Sequence, residues 1–243
     1  MRRSPTFDRT FPMTSIARSL RIVFLPCIAL VTACAQPGPV DTPAPVAAAP
    51  TPAPAPVPGP ATAPRAYATF TAAAATLEGG TFEGFAYAEK PGDAGLTAVT
   101  PSAGAVRVTG FTGAGKGSTW AGLGVMVPGA PNGAAADLSG YRTLRIVLSA
   151  ATPTSLRIRL VGGDAATVAG GCYPVSVLTV GTDPRPYDLP LAAFAPEAYC
   201  GAQGKSAAAT LPALAAVEVT APTVDTAKRR DIDFRVGAIS VLR

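Results

Sequence analysis

The stretch Leu156-Arg157-Ile158-Arg159-Leu160 decides the fold class, because apolar and charged residues alternate along it without a fault. Successive side chains of a β-strand point to opposite faces, so a period of two places three aliphatic side chains on one face and two arginines on the other. The same alternation recurs on both sides of this stretch, in shorter runs that begin at Val106, Leu144, Val217 and Phe234. We therefore expect several strands that each bury one face against a core.

Turn-forming residues separate these runs, for example Pro-Gly-Asp at 91–93 and Gly-Gly-Asp at 162–164. Short strands at this spacing are typical of an all-β, antiparallel β-sandwich. Two segments, 69–77 and 211–216, are predicted to be helical on their alanine and leucine content. Ten strands in two sheets of five are predicted, at residues 81–87, 96–99, 105–111, 120–127, 143–150, 155–161, 173–180, 185–190, 215–220 and 233–242.

The first 33 residues have the pattern of an export signal. Five arginines precede the ten-residue stretch Ile22–Val31, which is apolar apart from a proline and is too short to cross a bilayer. Met13 offers an alternative start that would give a compact signal of 21 residues. We therefore predict a signal peptide at 1–33, and an exported protein.

A proline-rich stretch follows the signal. Gln36–Arg65 contains eleven prolines in thirty positions, which favours extended polyproline II over packed structure. The predicted organisation is thus an unfolded Pro/Ala linker at 34–65 and one β-sandwich domain at 66–243. From Cys34 onward the chain has 15 basic and 14 acidic residues, a net charge of +1, so composition gives no support for nucleic-acid binding.

The four cysteines divide by position. Cys27 lies in the signal, whereas Cys172 and Cys200 form an even pair in an exported domain, where a disulfide is expected. Such a bond is worth about 3.5 kcal/mol in the chain-entropy model. A metal site is the weaker alternative, because the chain has no histidine and two isolated cysteines cannot supply a tetrahedral zinc set.

Cys34 is the remaining cysteine, at the end of the signal. Its context, Val31-Thr32-Ala33-Cys34, resembles the lipobox of bacterial lipoproteins. The resemblance implies that Cys34 is lipidated and becomes the first mature residue, and the following Ala35 implies an outer-membrane location, facing the periplasm or the cell surface. The alternative is an ordinary secretory signal with a chance cysteine.

Four runs between 81 and 242 carry a family resemblance. They are Ser118–Val127, which contains Trp-Ala-Gly-Leu-Gly, Ala136–Leu148, which contains Asp-Leu-Ser-Gly-Tyr, Tyr187–Phe194, which contains Leu-Pro-Leu-Ala-Ala-Phe, and Asp233–Val241. The chain resembles the galactose-binding-like jelly rolls, in particular carbohydrate-binding modules of family 11 and the domain of complex I intermediate-associated proteins. The resemblance implies a jelly-roll sandwich. Its motifs are chiefly structural, so they bear on the fold more than on the ligand.

Enzymatic function is not expected from the residues present. No Ser-His or Cys-His dyad can form without histidine. The glycine-rich run Gly113–Thr119 lacks the Lys-Ser or Lys-Thr step of a phosphate-binding loop, so we expect a hairpin turn there. Carboxylates lie at turns without a catalytic signature, which leaves glycoside hydrolysis as a weaker alternative.

A structural calcium ion is implied by the same family resemblance. Jelly rolls of this class often hold one through acids near the first and last strands, and the corresponding residues here are Glu83 and Asp233. The alternative is that Asp233 lies on an exposed strand edge. No other cofactor is expected.

Exposed aromatic rings are the groups most expected to bind sugar, because the C–H faces of a sugar stack on them. The candidates are Tyr87, Trp120, Tyr173 and Tyr199, although Trp120 could belong to the core and the last two could merely cover the disulfide. The basic run Lys228–Arg230 is either a solvated turn or a contact for anionic groups.

Together these features predict a membrane-anchored lipoprotein with a non-catalytic glycan-binding sandwich. The alternative is a structural or assembly lipoprotein that binds another envelope protein.

Overall fold

The computed structural model describes residues 63–113, 118–127, 135–163, 172–222 and 228–243. The predicted signal peptide, Cys34 and the linker up to residue 62 lie outside the described residues. Residues 114–117 of the glycine-rich run and Asp164 of the predicted turn at 162–164 lie outside them as well.

Eleven strands form the described fold. They are β1 (Arg65–Ala68), β2 (Thr81–Ala88), β3 (Ala94–Ser102), β4 (Ala105–Thr112), β5 (Thr119–Met126), β6 (Thr143–Ala150), β7 (Thr154–Gly162), β8 (Val175–Val180), β9 (Arg185–Pro190), β10 (Leu214–Pro222) and β11 (Arg230–Leu242). One short α-helix, α1 (Ala207–Thr210), precedes β10, and 3-10 turns occupy Leu191–Ala193, Ala198–Gln203 and Leu211–Ala213. Among the described residues, no helix is long and apolar enough to cross a membrane.

The strands build two antiparallel sheets. The six-stranded sheet has the order β3-β4-β11-β6-β9, with β1 also paired to β11, and the five-stranded sheet has the order β2-β5-β10-β7-β8. The predicted all-β jelly-roll sandwich is therefore confirmed, with six and five strands in place of five and five.

The core lies between the two sheets and is supplied by the alternate residues that the sequence pattern indicated. Leu156, Ile158 and Leu160 of β7 are fully buried, as are Leu123 and Val125 of β5. Because the period of a strand is two, the residues between them point away from the core. The arginines of β7 consequently lie on the outer face of the five-stranded sheet.

The predicted helix at 69–77 is wrong. This segment forms turns and isolated bridges, and the Glu78 carboxylate accepts hydrogen bonds at 2.6 Å from both the backbone N–H and the hydroxyl of Thr69. Phe70 is buried and packs edge-on against Phe82, with ring centroids 5.3 Å apart. These tertiary contacts outweigh the helical preference of alanine, which amounts to less than about 1 kcal/mol per residue.

The second predicted helix begins earlier in the chain than expected. The Ser206 hydroxyl accepts a hydrogen bond from the Ala209 N–H at 3.2 Å and so caps α1 at its start. The chain is already extended at Leu214, where β10 begins.

Candidate ligand-binding face

The outer face of the five-stranded sheet carries the unusual side chains of this protein. Strand register fixes which residues are neighbours across the sheet. The rows are Tyr87–Trp120–Pro222, then Phe85–Gly122–Thr220–Arg157–Val177, then Glu83–Gly124–Glu218–Arg159–Val175.

An aromatic pair lies at one corner of this face. Tyr87 and Trp120 are directly opposite each other on β2 and β5, with ring centroids 5.1 Å apart and planes tilted by 40°. Tyr87 is 51% exposed, and Trp120 is half-buried. The sequence left open whether Trp120 belongs to the core, and the structure places its ring on the outer face. The pair offers solvent a surface on which an apolar ring face can stack.

Arg157 extends from β7 toward this pair. Its guanidinium carbon lies 5.6 Å from the centre of the Trp120 ring, a cation–π distance. The residue is only 3% exposed, and its Nη2 donates to the carboxylate of Glu197 at 2.5 Å. Its Nε is buried and has no hydrogen-bond partner among the residues that the structure describes. A buried donor without an acceptor costs about 1–3 kcal/mol, so a movement of Arg157 that brings this nitrogen to an oxygen atom would be favourable.

Glu197 and Tyr199 approach the face from the segment that follows β9. The Tyr199 hydroxyl donates to the same carboxylate oxygen, at 3.2 Å, that accepts from Arg157. Partial burial and the negative charge of Glu197 raise the pKa of Tyr199, because both disfavour the phenolate. The Tyr199 ring is 65% exposed and adds a second aromatic surface beside the arginine.

A second ion pair continues the polar surface along the sheet. Arg159 and Glu218 lie opposite each other on β7 and β10 and are joined at 2.6 Å, both mostly buried. Gly124 separates Glu218 from the exposed Glu83 in the same row. The face therefore presents aromatic rings, arginine donors and carboxylate acceptors side by side.

Exposed apolar side chains are concentrated here. Four large hydrophobic side chains of the described residues are strongly exposed, and three of them, Tyr87, Val177 and Tyr199, belong to this face or overlie it. The fourth, Leu77, lies in the turn region before β2. Tyr87 and Val177 lie on the opposite edge strands β2 and β8, so these side chains are spread across the face.

Tyr173 does not have the expected exposure. It is only 2% exposed and packs with Val161 and Ala216 in a small apolar cluster, its ring lying against Gly162. A ring without a free face cannot stack on a sugar, so Tyr173 supports this end of the sheet and is not a platform. The predicted disulfide between Cys172 and Cys200 is confirmed, with Cα atoms 5.5 Å apart.

The two acids expected to hold calcium lie on opposite outer faces of the sandwich. Glu83 is on β2 of the five-stranded sheet, and Asp233 is on β11 of the six-stranded sheet. Arg107 donates to both carboxylate oxygens of Asp233, at 2.9 and 2.6 Å, and lowers the pKa of that acid. Glu83 and Asp233 therefore do not fit one calcium site. Within the described ranges, no group of three or more acidic, cysteine or histidine residues could hold a metal ion.

Sequence reasoning overlooked Arg157 and Glu197 as site residues. The alternation of β7 did place Arg157 on the outer face, but nothing in the sequence indicated that Glu197, forty residues later, would form an ion pair with it. Lys228–Arg230 lies at the start of β11, with the Arg229 guanidinium 3.7 Å from the centre of the Phe111 ring.

Among solved structures, comparison with known proteins finds similarity to carbohydrate-binding modules, family 11 included. A family 11 carbohydrate-binding module from Clostridium thermocellum, solved with a β-1,3-1,4-mixed-linked tetrasaccharide, aligns at 12% identity and a TM-score of 0.49, over 73% of this chain and 95% of the module. A family 11 module of the cellulosomal cellulase Lic26A-Cel5E from the same organism aligns at 13% identity and 0.49, over 74% and 95%. A family 30 module of a cellulosomal cellulase, again from Clostridium thermocellum, aligns at 13% identity and 0.43, over 72% and 95%.

No family model matches the sequence, and no curated protein matches it. At this level of identity a shared fold does not identify a ligand. Function is therefore inferred from the side chains of the outer face.

Proposed function

We propose that this protein is a non-catalytic glycan-binding protein and that its ligand binds the outer face of the five-stranded sheet. The observation that carries the proposal is the Tyr87–Trp120 pair beside a buried arginine whose Nε lacks a partner in the described part of the chain. The rings supply a stacking surface for the C–H face of a sugar, and Arg157 Nε, which is buried in the free protein, becomes a donor for one of its oxygens when the arginine side chain turns toward the ligand. Glu197 and Glu218 supply acceptors for hydroxyl groups.

The combination of groups favours a sugar over a purely apolar ligand. Stacking surface and hydrogen-bonding groups alternate within a few ångströms, and a sugar presents apolar faces and hydroxyl edges at the same scale. The two arginines of this face are both paired with carboxylates, so its net charge is low. This balance suits a neutral sugar better than an anionic one.

Affinity electrophoresis against soluble polysaccharides, including β-1,3-1,4 mixed-linkage glucan, tests the proposal. We expect retardation by at least one polysaccharide and a loss of affinity of about tenfold or more for Tyr87→Ala, since an aromatic contact is worth about 0.5–1.5 kcal/mol beyond its buried area. Leu77→Ala is the matched control, because Leu77 is 73% exposed but lies outside the face. Absence of any glycan binding, together with co-purification of one defined envelope protein, would instead support the assembly role.

We further propose that the protein is held at the outer membrane by lipid on Cys34. The lipobox-like context of Cys34 supports this proposal, and several acyl chains together hold a protein stably at a bilayer whereas one does so only marginally. Cys34→Ser should move the protein from the membrane fraction to the soluble fraction, as followed by immunoblotting after ultracentrifugation. Unchanged partitioning of this variant would rule out the anchor.

A further inference from the structure

The segment Ala198–Gln203, which carries Tyr199 and directly follows Glu197, has little apolar packing of its own. Among its six residues only Cys200 is buried. The nearest buried residues are Phe194 before the segment and Ala207 after it. Between Phe194 and Ala207, Cys200 is therefore the one residue that is buried.

Three connections tie this stretch to Cys172 and to Val175, the first residue of β8. Ala195 and Val175 exchange backbone hydrogen bonds at 2.9 and 3.1 Å, and the Lys205 N–H donates to the Cys172 carbonyl at 2.9 Å. The Cys172–Cys200 disulfide is the third connection, and it lies between the other two along the chain. Glu197 and Tyr199 are thus held between the first connection and the disulfide.

The other end of the disulfide is firmly fixed. Cys172 is followed by Tyr173, whose buried ring packs on β7 and β10 through Val161 and Ala216. A buried aromatic residue holds its backbone in place because moving it would expose a large apolar area. Cys172 therefore acts as the fixed point, and Cys200 belongs to the weakly packed partner.

A direct chain of contacts joins this segment to the ligand-binding face. Glu197 neutralises buried Arg157, and Arg157 lies over the ring of Trp120. A buried guanidinium that loses its carboxylate must recruit water or move, because a buried unpaired charge is costly. Displacing Glu197 would therefore alter both the arginine and the ring on which a ligand stacks.

We propose that the Cys172–Cys200 disulfide sets the ligand affinity of this face by holding Glu197 and Tyr199 against Arg157, so that its reduction weakens binding while the sandwich stays folded. The inference rests on the proposed function for its ligand. In the reduction, a dithiol such as dithiothreitol transfers two electrons and two protons to the disulfide, which becomes two thiols, and the dithiol becomes its own cyclic disulfide.

Trp120 is the single tryptophan of the chain, so it reports on this arrangement without a ligand. In the exported full-length protein, we expect dithiothreitol to shift the Trp120 emission to longer wavelength and to increase its quenching by acrylamide. Far-UV circular dichroism, recorded in the same samples well below the unfolding midpoint, should stay unchanged. Emission and quenching that do not respond to reduction would overturn the inference, whatever the ligand is.

Two variants separate positioning from general loosening. Cys172→Ser combined with Cys200→Ser should show the altered emission from the start and no response to dithiothreitol. Glu197→Gln, with the disulfide intact, should change the emission in the same direction, and reduction should then add little. If reduction adds its full effect in Glu197→Gln, the disulfide does not act through Glu197 and the inference is wrong.

The ligand arm uses mixed-linkage glucan and any other polysaccharide that retards the oxidised protein. We expect reduction to lower the affinity about tenfold, which corresponds to a loss of about 1.4 kcal/mol of binding free energy. Equal affinity before and after reduction would contradict the inference. Failure of the oxidised protein to bind any glycan, with the Trp120 response present, would overturn the proposed function and still support the positioning by the disulfide.

Discussion

Replacement of Arg157 by methionine separates binding from stability at the centre of the proposed site. Arg157 is almost fully buried, so a purely structural role would make its loss costly. Methionine keeps most of the apolar volume of the side chain but removes the charge and all five donors. We expect Arg157→Met to fold with nearly unchanged stability and to lose ligand affinity.

The expected stability change follows from opposing contributions. The variant loses the ion pair with the part-exposed carboxylate of Glu197 and a cation–π contact with Trp120, but because Arg157 is almost fully buried, the desolvation cost of its charge is removed with them. It also removes the buried Nε that lacks a partner, which recovers about 1–3 kcal/mol. Because Glu197 can be hydrated once the arginine is gone, the net change in the free energy of unfolding should be within about 1 kcal/mol of zero.

The expected binding change is larger. A hydrogen bond between a charged donor and a ligand oxygen is worth about 1.5–3 kcal/mol, which corresponds to a loss of affinity of about 10- to 150-fold. Urea unfolding followed by circular dichroism gives the stability, and isothermal titration calorimetry with the retarding polysaccharide gives the affinity. A variant that is destabilised by more than about 3 kcal/mol but binds with unchanged affinity would refute this reasoning, since Arg157 would then be purely structural.

Two further predictions concern the sandwich itself. Leu123→Ala should lower the free energy of unfolding by about 2–5 kcal/mol in urea melts, because Leu123 is fully buried between the sheets and its loss leaves a cavity. A decrease of less than about 1 kcal/mol would contradict this prediction, since the core would then have collapsed around the cavity. Hydrogen bonds from Arg145 and Arg107 lower the pKa of Asp188 and of Asp233. Their contribution to stability is therefore complete above about pH 4, the unfolded value, and is lost as the pH falls through the lower folded values. Asp188→Asn and Asp233→Asn should flatten this acid decline in thermal melts, and a decline of unchanged steepness would contradict the assignment.

The strands were predictable because their cause is local. Alternation at period two marks one face of each strand as buried wherever it is embedded, and all ten predicted strands are present within a few residues of the expected bounds. β1 was missed because only four residues, directly after a proline-rich stretch, carry no alternation that stands out. Its existence depends on pairing with β11, at the far end of the chain.

The helix expected at 69–77 shows the limit of local reasoning. Alanine content favours a helix only weakly, whereas the hydrogen bonds from Thr69 to Glu78 and the burial of Phe70 depend on partners that composition does not reveal.

For the binding face, the sequence supplied candidates but could not sort them. Tyr87, Trp120 and Tyr173 look alike as isolated aromatic residues, yet register pairs the first two and packing buries the third. Arg157 and Glu197 became site residues only through a contact between β7 and the segment after β9.

The sequence by itself determined the class of fold, the pairing of Cys172 with Cys200 and the expectation of export. Hydrophobic periodicity and a basic segment followed by an apolar one are each visible within a short stretch of sequence. The pairing follows from the number of cysteines in the domain. Only the tertiary structure decided which outer residues form one surface. Strand order and register bring residues from β2, β5, β7 and β10 together, and the segment after β9 adds Glu197 and Tyr199 to them. Neighbours across a sheet are set by long-range pairing, and no local pattern encodes that pairing in full.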